Sequence, residues 1–222
     1  MSPVVLVVVV ALVGGATAAG DFVFGYGSLI NDASRQRTCP GSTIAYPARL
    51  SGYRRAWRYA AENMTAVGVY PADRKSSVHG VVFRVNPGHL PALDHRERHY
   101  ARVRVKHGDL VTIGLDRDVV GERDRVWLYV LVEGHFPKCD RPIRQGYVDV
   151  IMQGCLGTLG VRFAREFVIQ TEDWDGCWVN DRDDRTNRRV PIDKATLQLV
   201  DMILSDTIPR QFANRLNHIA SY

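Results

Sequence analysis

The chain has 222 residues, 45% hydrophobic and 24% charged, with 29 Lys+Arg against 24 Asp+Glu and a formal net charge of +5. That composition fits a globular chain of one domain or a little more, and excludes a disordered polymer, a collagen-like repeat and a disulfide-dominated miniprotein. The mild basicity comes with no nucleic-acid-binding motif, so nucleic acid is not an expected partner.

Residues 1–20 hold no charged side chain. The apolar run 4–13 would rise about 15 Å as a helix, half the thickness of a bilayer core, so it does not read as a spanning anchor. With Ala16-Thr17-Ala18 as an A-x-A cleavage site it reads as a signal peptide, although no Lys or Arg precedes the run. The expected location is then secreted or luminal, with no stable membrane association once the leader is removed. If the leader is not used, the location is cytoplasmic. Residues 21–222 are expected to form one domain, with a core over about 21–135 and a helical extension over about 140–222.

Short stretches rich in β-branched and aromatic residues, separated by turn residues, predict strands over 21–26, 44–50, 53–59, 65–70 and 77–85. Pro87-Gly88 punctuates, and a short helix follows with Leu90, Leu93 and Glu97 on one stripe. Strands resume over 102–106, 111–115 and 125–132. Apolar residues at Ile143, Tyr147, Val150, Ile151, Cys155 and Leu159 predict a helix over 143–159, broken at Gly160 and followed by another over 161–169. Residues 174–189 are polar and turn-rich, with Trp174 and Trp178 either lining a pocket or capping the core. Pro191 opens a last helix through Leu197, Val200 and Leu204. This is an α+β layout, strands first and helices after.

Cys39, Cys139, Cys155 and Cys177 are too far apart in sequence for C-x-x-C chemistry. Behind a secretory leader they allow one or two disulfides, with the pairing open. Asn63-Met64-Thr65 is a glycosylation sequon, relevant only on a eukaryotic secretory route.

Two segments carry candidate chemistry. In Phe24-Gly25-Tyr26-Gly27-Ser28-Leu29, two glycines let a ligand approach the main chain, successive N–H groups can cradle an anion such as a carboxylate, and Ser28 adds a hydroxyl. The segment is neither a P-loop nor a dinucleotide fingerprint. In Leu93-Asp94-His95-Arg96-Glu97-Arg98-His99-Tyr100, Glu97 falls on the apolar stripe, while Arg96 and Arg98 point away and need not neutralise it. A buried carboxyl has a raised pKa suited to proton transfer. His95 and His99 stand four apart and could reach one metal, but H-x-E-x-H departs from the H-E-x-x-H zinc pattern. The basic stretches 102–106 and 182–189 read as solvated positions.

In order and spacing these segments resemble the γ-glutamylcyclotransferase-like superfamily. Phe24-Gly25-Tyr26-Gly27-Ser28-Leu29 is similar to its Y-G-S-[LN] signature, and Leu50-Ser51-Gly52-Tyr53-Arg54-Arg55-Ala56-Trp57 to its G-Y-x-R-x-[FW] strand. Val78-His79-Gly80-Val81-Val82-Phe83 resembles its G-x-[VL]-[FY] strand, and residues 93–100 its L-x-x-R-E-x-x-Y helix. The second half is similar to the extension of a subgroup with G-C-L and W-x-N-D-R elements. The resemblance implies a small mixed β-barrel with surrounding helices. It also implies cleavage of γ-glutamyl amides by intramolecular aminolysis, releasing 5-oxoproline and a free amine or amino acid. Glu97 would be the general acid/base and Tyr26, Gly27, Ser28 and Leu29 the substrate clamp. Tyr53, Trp57 and Tyr100 would be cavity walls, with no metal or cofactor needed and a small γ-glutamyl compound as partner. The alternative is a binding or regulatory protein that keeps the fold without turnover.

Overall fold

The computed structural model describes residues 19–42, 44–116, 118–184 and 190–217. Residues 1–18 of the expected leader and residues 185–189 of the second basic stretch lie outside them. The strands are β1 (Asp21–Gly25), β2 (Ala45–Ser51), β3 (Tyr53–Ala60), β4 (Thr65–Pro71), β5 (Ser77–Val85), β6 (Tyr100–Arg104), β7 (Leu110–Thr112) and β8 (Arg125–Leu131). The second half adds β9 (Ile143–Arg144), β10 (Thr171–Glu172), β11 (Trp178–Asn180) and β12 (Leu216–Asn217). The α-helices are α1 (Asp32–Gln36), α2 (Leu90–Arg96), α3 (Gln145–Ile169), α4 (Lys194–Thr207) and α5 (Pro209–Ala213).

The strands build two six-stranded sheets, in the orders β6-β8-β1-β5-β2-β7 and β10-β3-β4-β9-β11-β12. Strand β1 lies inside the first, antiparallel to β5 and parallel to β8, and all five of its residues are buried. That explains its unbroken run of apolar and small residues after Asp21: a strand covered on both faces does not alternate. Asp21 itself is buried and held by Arg125 at 2.6 Å and the Trp127 indole at 2.8 Å. Phe24, Leu50, Phe83 and Leu128 of the first sheet share a core with Trp57, Val67 and Val69 of the second and with α3 and α4. Each of these large side chains contributes about 1.5–3 kcal/mol on burial.

The strand and helix expectations for the first half hold to within two residues except at β7, which ends at Thr112 where a strand through 115 is expected. Strand β6 begins two residues earlier than read, because Tyr100 turns inward directly after Glu97. The second half differs in kind. It is read above as an extension of helices and turns, but four of its segments pair into the second sheet: β9 joins β4, β10 joins β3, and β11 joins both β9 and β12. Strands of two or three residues are too short to show a period of two, so only pairing reveals them.

Helix α3 merges the two helices read from the sequence, with Leu159 and Gly160 non-helical and Gly160 at φ 72°. A positive φ there is tolerated because the residue lacks a Cβ. Helix α4 begins at Lys194 rather than Pro191, because Asp193 accepts from the Thr196 N–H at 2.9 Å and caps it. Its packing on α3 is pinned by Arg182, which forks onto Asp149 at 2.7 and 2.8 Å and reaches Asp201 at 2.7 Å. Cys139 and Cys177 form a disulfide, and Cys39 and Cys155 are buried thiols. Trp174 and Trp178 are buried 5.0 Å apart and cap the core, and both also line a cleft of about 250 Å³ with Arg210 and Asn214. Among the described residues no helix is long and apolar enough to cross a membrane.

Candidate active site

After β1 the chain enters a tight 3-10 turn, Ser28–Ile30, closed by Ile30 N–H to Gly27 O at 2.9 Å and Asn31 N–H to Ser28 O at 3.2 Å. The first N–H groups of such a turn have no partner within it, so Ser28 and Leu29 present theirs at its open end. Gly27 is where packing forbids a side chain. A Cβ there would stand 2.7 Å from Val67 Cγ2 and 3.5 Å from the Tyr147 hydroxyl.

Helix α3 docks onto this turn. Asn31 Nδ2 donates to Val150 O at 3.0 Å and to Gln153 Oε1 at 2.9 Å. At Gly154 an added Cβ would lie 2.6 Å from Asn31 N, so only glycine allows the approach. Tyr147 stands seven residues earlier, nearly two turns, and so on the same face. The docking therefore brings its hydroxyl against the Ser28 side chain and N–H. Trp57, fully buried, braces the Tyr147 ring edge-on at 6.0 Å from behind.

Helix α2 delivers the carboxylate. Leu93 is fully buried and anchors it. The helix ends at Arg96, and Glu97 lies one residue past it, held by its N–H to Leu93 O at 2.8 Å. Glu97 faces inward as expected, but Arg96 does not point clear of it. Arg96 Nε lies 3.2 Å from Glu97 Oε1, because the chain leaves helical geometry at Glu97 and lets the guanidinium fold back. The same guanidinium donates to Ser28 Oγ at 2.9 Å, Ser34 O at 3.0 Å and Thr38 Oγ1 at 3.0 Å. Arg96 thus ties the acid to the glycine turn.

Glu97, Tyr26, Gly27, Ser28, Leu29 and Tyr100 line one small inner chamber of about 30 Å³, joined there by Tyr129 and Tyr147. That volume holds about one water. Ser28 and Tyr147 also line a wider outer cleft of about 380 Å³, so they form the wall between the two. Tyr26 donates to Tyr129 O at 2.7 Å, and Tyr100 donates to Val67 O at 2.9 Å across the two sheets.

Burial raises the Glu97 carboxyl above its usual range, and the charge of Arg96 and its bond pull the other way. Burial, then the Glu97 charge, pushes Tyr147 up to about 12 and Tyr26 well above the ordinary phenol value. Tyr100 is also raised, by burial first. At neutral pH these phenols are donors, and Glu97 is the one chamber group able to serve as a base.

Two residues named from the sequence do not reach the chamber. Trp57 supports Tyr147 instead, with its indole Nε1 unpartnered among the described residues. Tyr53 opens β3 away from the lining, where burial and then Asp109 raise its phenol. His95 and His99 are exposed, His99 is stacked on Tyr59, and no cluster of three or more His, Cys, Asp or Glu that could hold a metal occurs among the described residues. The sequence reading missed Arg96 and Tyr147. Arg96 was visible beside Glu97, but its role needs the chain reversal after α2. Tyr147 was read only as part of an apolar stripe.

A glycine turn, one half-buried carboxylate tied to it by an arginine, and a ring of tyrosines between two sheets make up the candidate small-molecule site. Over residues 23–148 the chain matches the family described as Gamma-glutamyl cyclotransferase, AIG2-like, and it belongs to that family. The matched span runs from β1 through Tyr147. Among solved structures, one titled gamma-glutamyl cyclotransferase aligns with a TM-score of 0.54 at 14% identity, over 82% of this chain and 99% of that one. An uncharacterized protein from Homo sapiens aligns at 0.52 and 14% identity, over 81% and 96%. YkqA from Bacillus subtilis aligns at 0.52 and 18% identity, over 68% and 53%. At these identities the likeness is one of fold. No curated protein matches the chain by sequence.

Proposed function

We propose that the protein is a γ-glutamyl cyclotransferase that uses Glu97 as general acid/base. The observation that carries this is the lone chamber carboxylate, held above its usual pKa range beside the Ser28 turn. The substrate brings its own nucleophile. Its α-amine nitrogen attacks the γ-carbonyl carbon and forms the ring N–C bond. Glu97 takes the proton released from that nitrogen and passes it to the leaving nitrogen as the amide C–N bond breaks. The products are 5-oxoproline and the free amine, and no water is consumed. Ser28 and Leu29 N–H groups hold the glutamyl α-carboxylate, and the Tyr147 and Ser28 hydroxyls face the γ-carbonyl, where charge builds in the transition state. A glutamyl group exceeds the volume of the inner chamber, about 30 Å³, so the chamber must widen when substrate binds.

The close approach of the two six-stranded sheets supports reading them as the barrel that the resemblance implies. Strand β4 approaches β8 so closely that a Cβ on Gly68 would lie 2.9 Å from Leu131 Cδ1. The single hydrophobic cluster among the described residues supports reading residues 21–222 as one domain. The Cys139–Cys177 disulfide supports the leader and a secreted or luminal site of action, since such bonds persist in oxidising compartments.

The test is 5-oxoproline release from γ-glutamyl dipeptides, glutathione and γ-glutamyl-ε-lysine, with Glu97→Gln as the matched variant. Turnover by the wild type and a loss of about 10²–10⁴-fold in the variant are expected. No product from any substrate, or full activity in Glu97→Gln, would sink the proposal. The second reading, a γ-glutamyl-binding or regulatory protein without turnover, draws on the small inner chamber. A γ-glutamyl compound that raises the Tm and is recovered intact would establish it, and consumption of that compound would remove it.

A further inference from the structure

The outer cleft carries more positive charge than its own partners neutralise. Its charged lining is Arg37, Arg96, Arg144 and Asp181. Arg96 is engaged with Glu97, Ser28, Ser34 and Thr38. Arg144 stands 3.6 Å from Asp181 and donates through Nε to Asn63 O at 3.3 Å. Asp181 is buried and also accepts the Gly146 N–H at 2.7 Å, so its charge is shared between a helix end and Arg144. Arg37 is exposed, and its side chain has no ion pair or hydrogen bond among the described residues. The N-terminal end of α3 opens onto the same space and adds potential of the same sign. Met64, Val150 and Val190 supply apolar wall.

We propose that this cleft is the leaving-group subsite and that Arg37 and Arg144 select a leaving group bearing a carboxylate next to the scissile nitrogen. That class is the γ-glutamyl α-amino acids and peptides, rather than γ-glutamyl derivatives of simple amines or of a lysine side chain. The proposal rests on the cyclotransferase reading, because the Ser28–Tyr147 wall places the scissile nitrogen between Glu97 and the cleft. In an α-amino acid the carboxyl carbon lies about 2.5 Å from that nitrogen, so it must sit just beyond the wall. In a lysine isopeptide that position holds a methylene, and the lysine carboxylate lies four carbons farther out beside an ammonium that offsets its charge. Met64, Val150 and Val190 then receive the leaving residue's side chain. A volume of about 380 Å³ accommodates one amino acid or a dipeptide.

Three substrates that differ only at that carboxylate give the test on the full chain: γ-glutamyl-leucine, γ-glutamyl-leucinamide and γ-glutamyl-3-methylbutylamine. The wild type should favour the acid over the amide by about tenfold or more in kcat/KM, a typical span for a charge-assisted pair. Arg37→Gln and Arg144→Gln should each lower the acid-to-amide ratio by about three- to tenfold, and the double variant should bring it near one. A ratio taken on one preparation is insensitive to partial unfolding, which matters for Arg144 beside buried Asp181. Rising salt should shrink the ratio, because Arg37 is exposed. A wild-type ratio near one, or a ratio unaltered in the double variant, overturns the proposal. If no substrate yields 5-oxoproline, the cyclotransferase reading fails by itself. Binding of the same three compounds to Glu97→Gln by calorimetry then reads the subsite directly: equal affinities overturn it, and a tighter acid supports it.

Discussion

Arg96 offers a test that separates charge from geometry. Arg96→Met keeps an unbranched stem and removes the guanidinium. It forfeits the bonds to Ser28 Oγ at 2.9 Å, Ser34 O at 3.0 Å and Thr38 Oγ1 at 3.0 Å, and the pair with Glu97 at 3.2 Å. Buried hydrogen bonds to a charged group are worth about 1.5–3 kcal/mol each, and exposed ion pairs about 0–1 kcal/mol. The Arg96 side chain is 23% exposed and its bonds act as one network, so the joint loss is about 2–4 kcal/mol. For a domain of this size that lowers the Tm by about 4–16 °C. The charge acts separately on Glu97. Burial raises its pKa and Arg96 lowers it, so removing Arg96 leaves burial unopposed. Glu97 accepts the proton only when ionised, and the acid limb of kcat/KM must therefore move to higher pH in Arg96→Met. Arg96→Lys restores one positive charge without the fork, so its acid limb should return toward that of the wild type while its Tm stays low. The assay is 5-oxoproline release from about pH 4 to about pH 9, beside thermal melts of the same proteins. An acid limb in Arg96→Met that coincides with the wild type's would refute the electrostatic account of Glu97.

Glu97→Gln should unfold at a higher temperature than the wild type near neutral pH, as expected where function holds a costly charge. The folded-state pKa of Glu97 is raised, so ionising it costs the folded protein more than the unfolded chain. That cost is absent below the unfolded value of about 4.3 and complete above the raised folded one. The gap in Tm should thus close on acidification, and a gap independent of pH contradicts the assignment. Gly27→Ala pushes a Cβ to 2.7 Å from Val67 Cγ2. Overpacking of that kind costs about 1–3 kcal/mol. A variant with unchanged Tm and unchanged turnover would show that the wall is looser than described. Cys139→Ser with Cys177→Ser opens a link of sequence separation 38, worth about 4 kcal/mol by chain entropy. The double variant should melt about 8–16 °C lower, and a melt equal to that of the alkylated but unreduced wild type would mean that the bond does not form.

Most of the first half was legible because its signals are local. Alternation and turn residues mark β2 to β5, and the unbroken run after Asp21 marks a strand covered on both faces. Glu97 stood out because a carboxylate on the Leu90–Leu93 stripe is costly unless it has a task. The second half was misjudged where its order comes from partners far away in sequence. Strands β9 to β12 are two or three residues long, and nothing in such lengths distinguishes them from turns. Tyr53 and Trp57 were placed in the wall on the strength of neighbouring motif residues, yet β3 turns Trp57 behind Tyr147 and carries Tyr53 away.

By itself the sequence determined the α+β layout, the glycine turn, the inward acid and the family they resemble. Each motif is local, and the resemblance and the layout rest on the order of such local segments along the chain. Only the tertiary structure decided that Tyr147 shares the wall with Ser28, that Arg96 binds both the acid and the turn, that Cys139 pairs with Cys177, and that Arg37 and Arg144 line one cleft. These juxtapositions join segments roughly 40 to 120 positions apart. The close approach of α3 to the Ser28 turn at Gly154 creates the Tyr147 contact, and no periodicity along the chain encodes it.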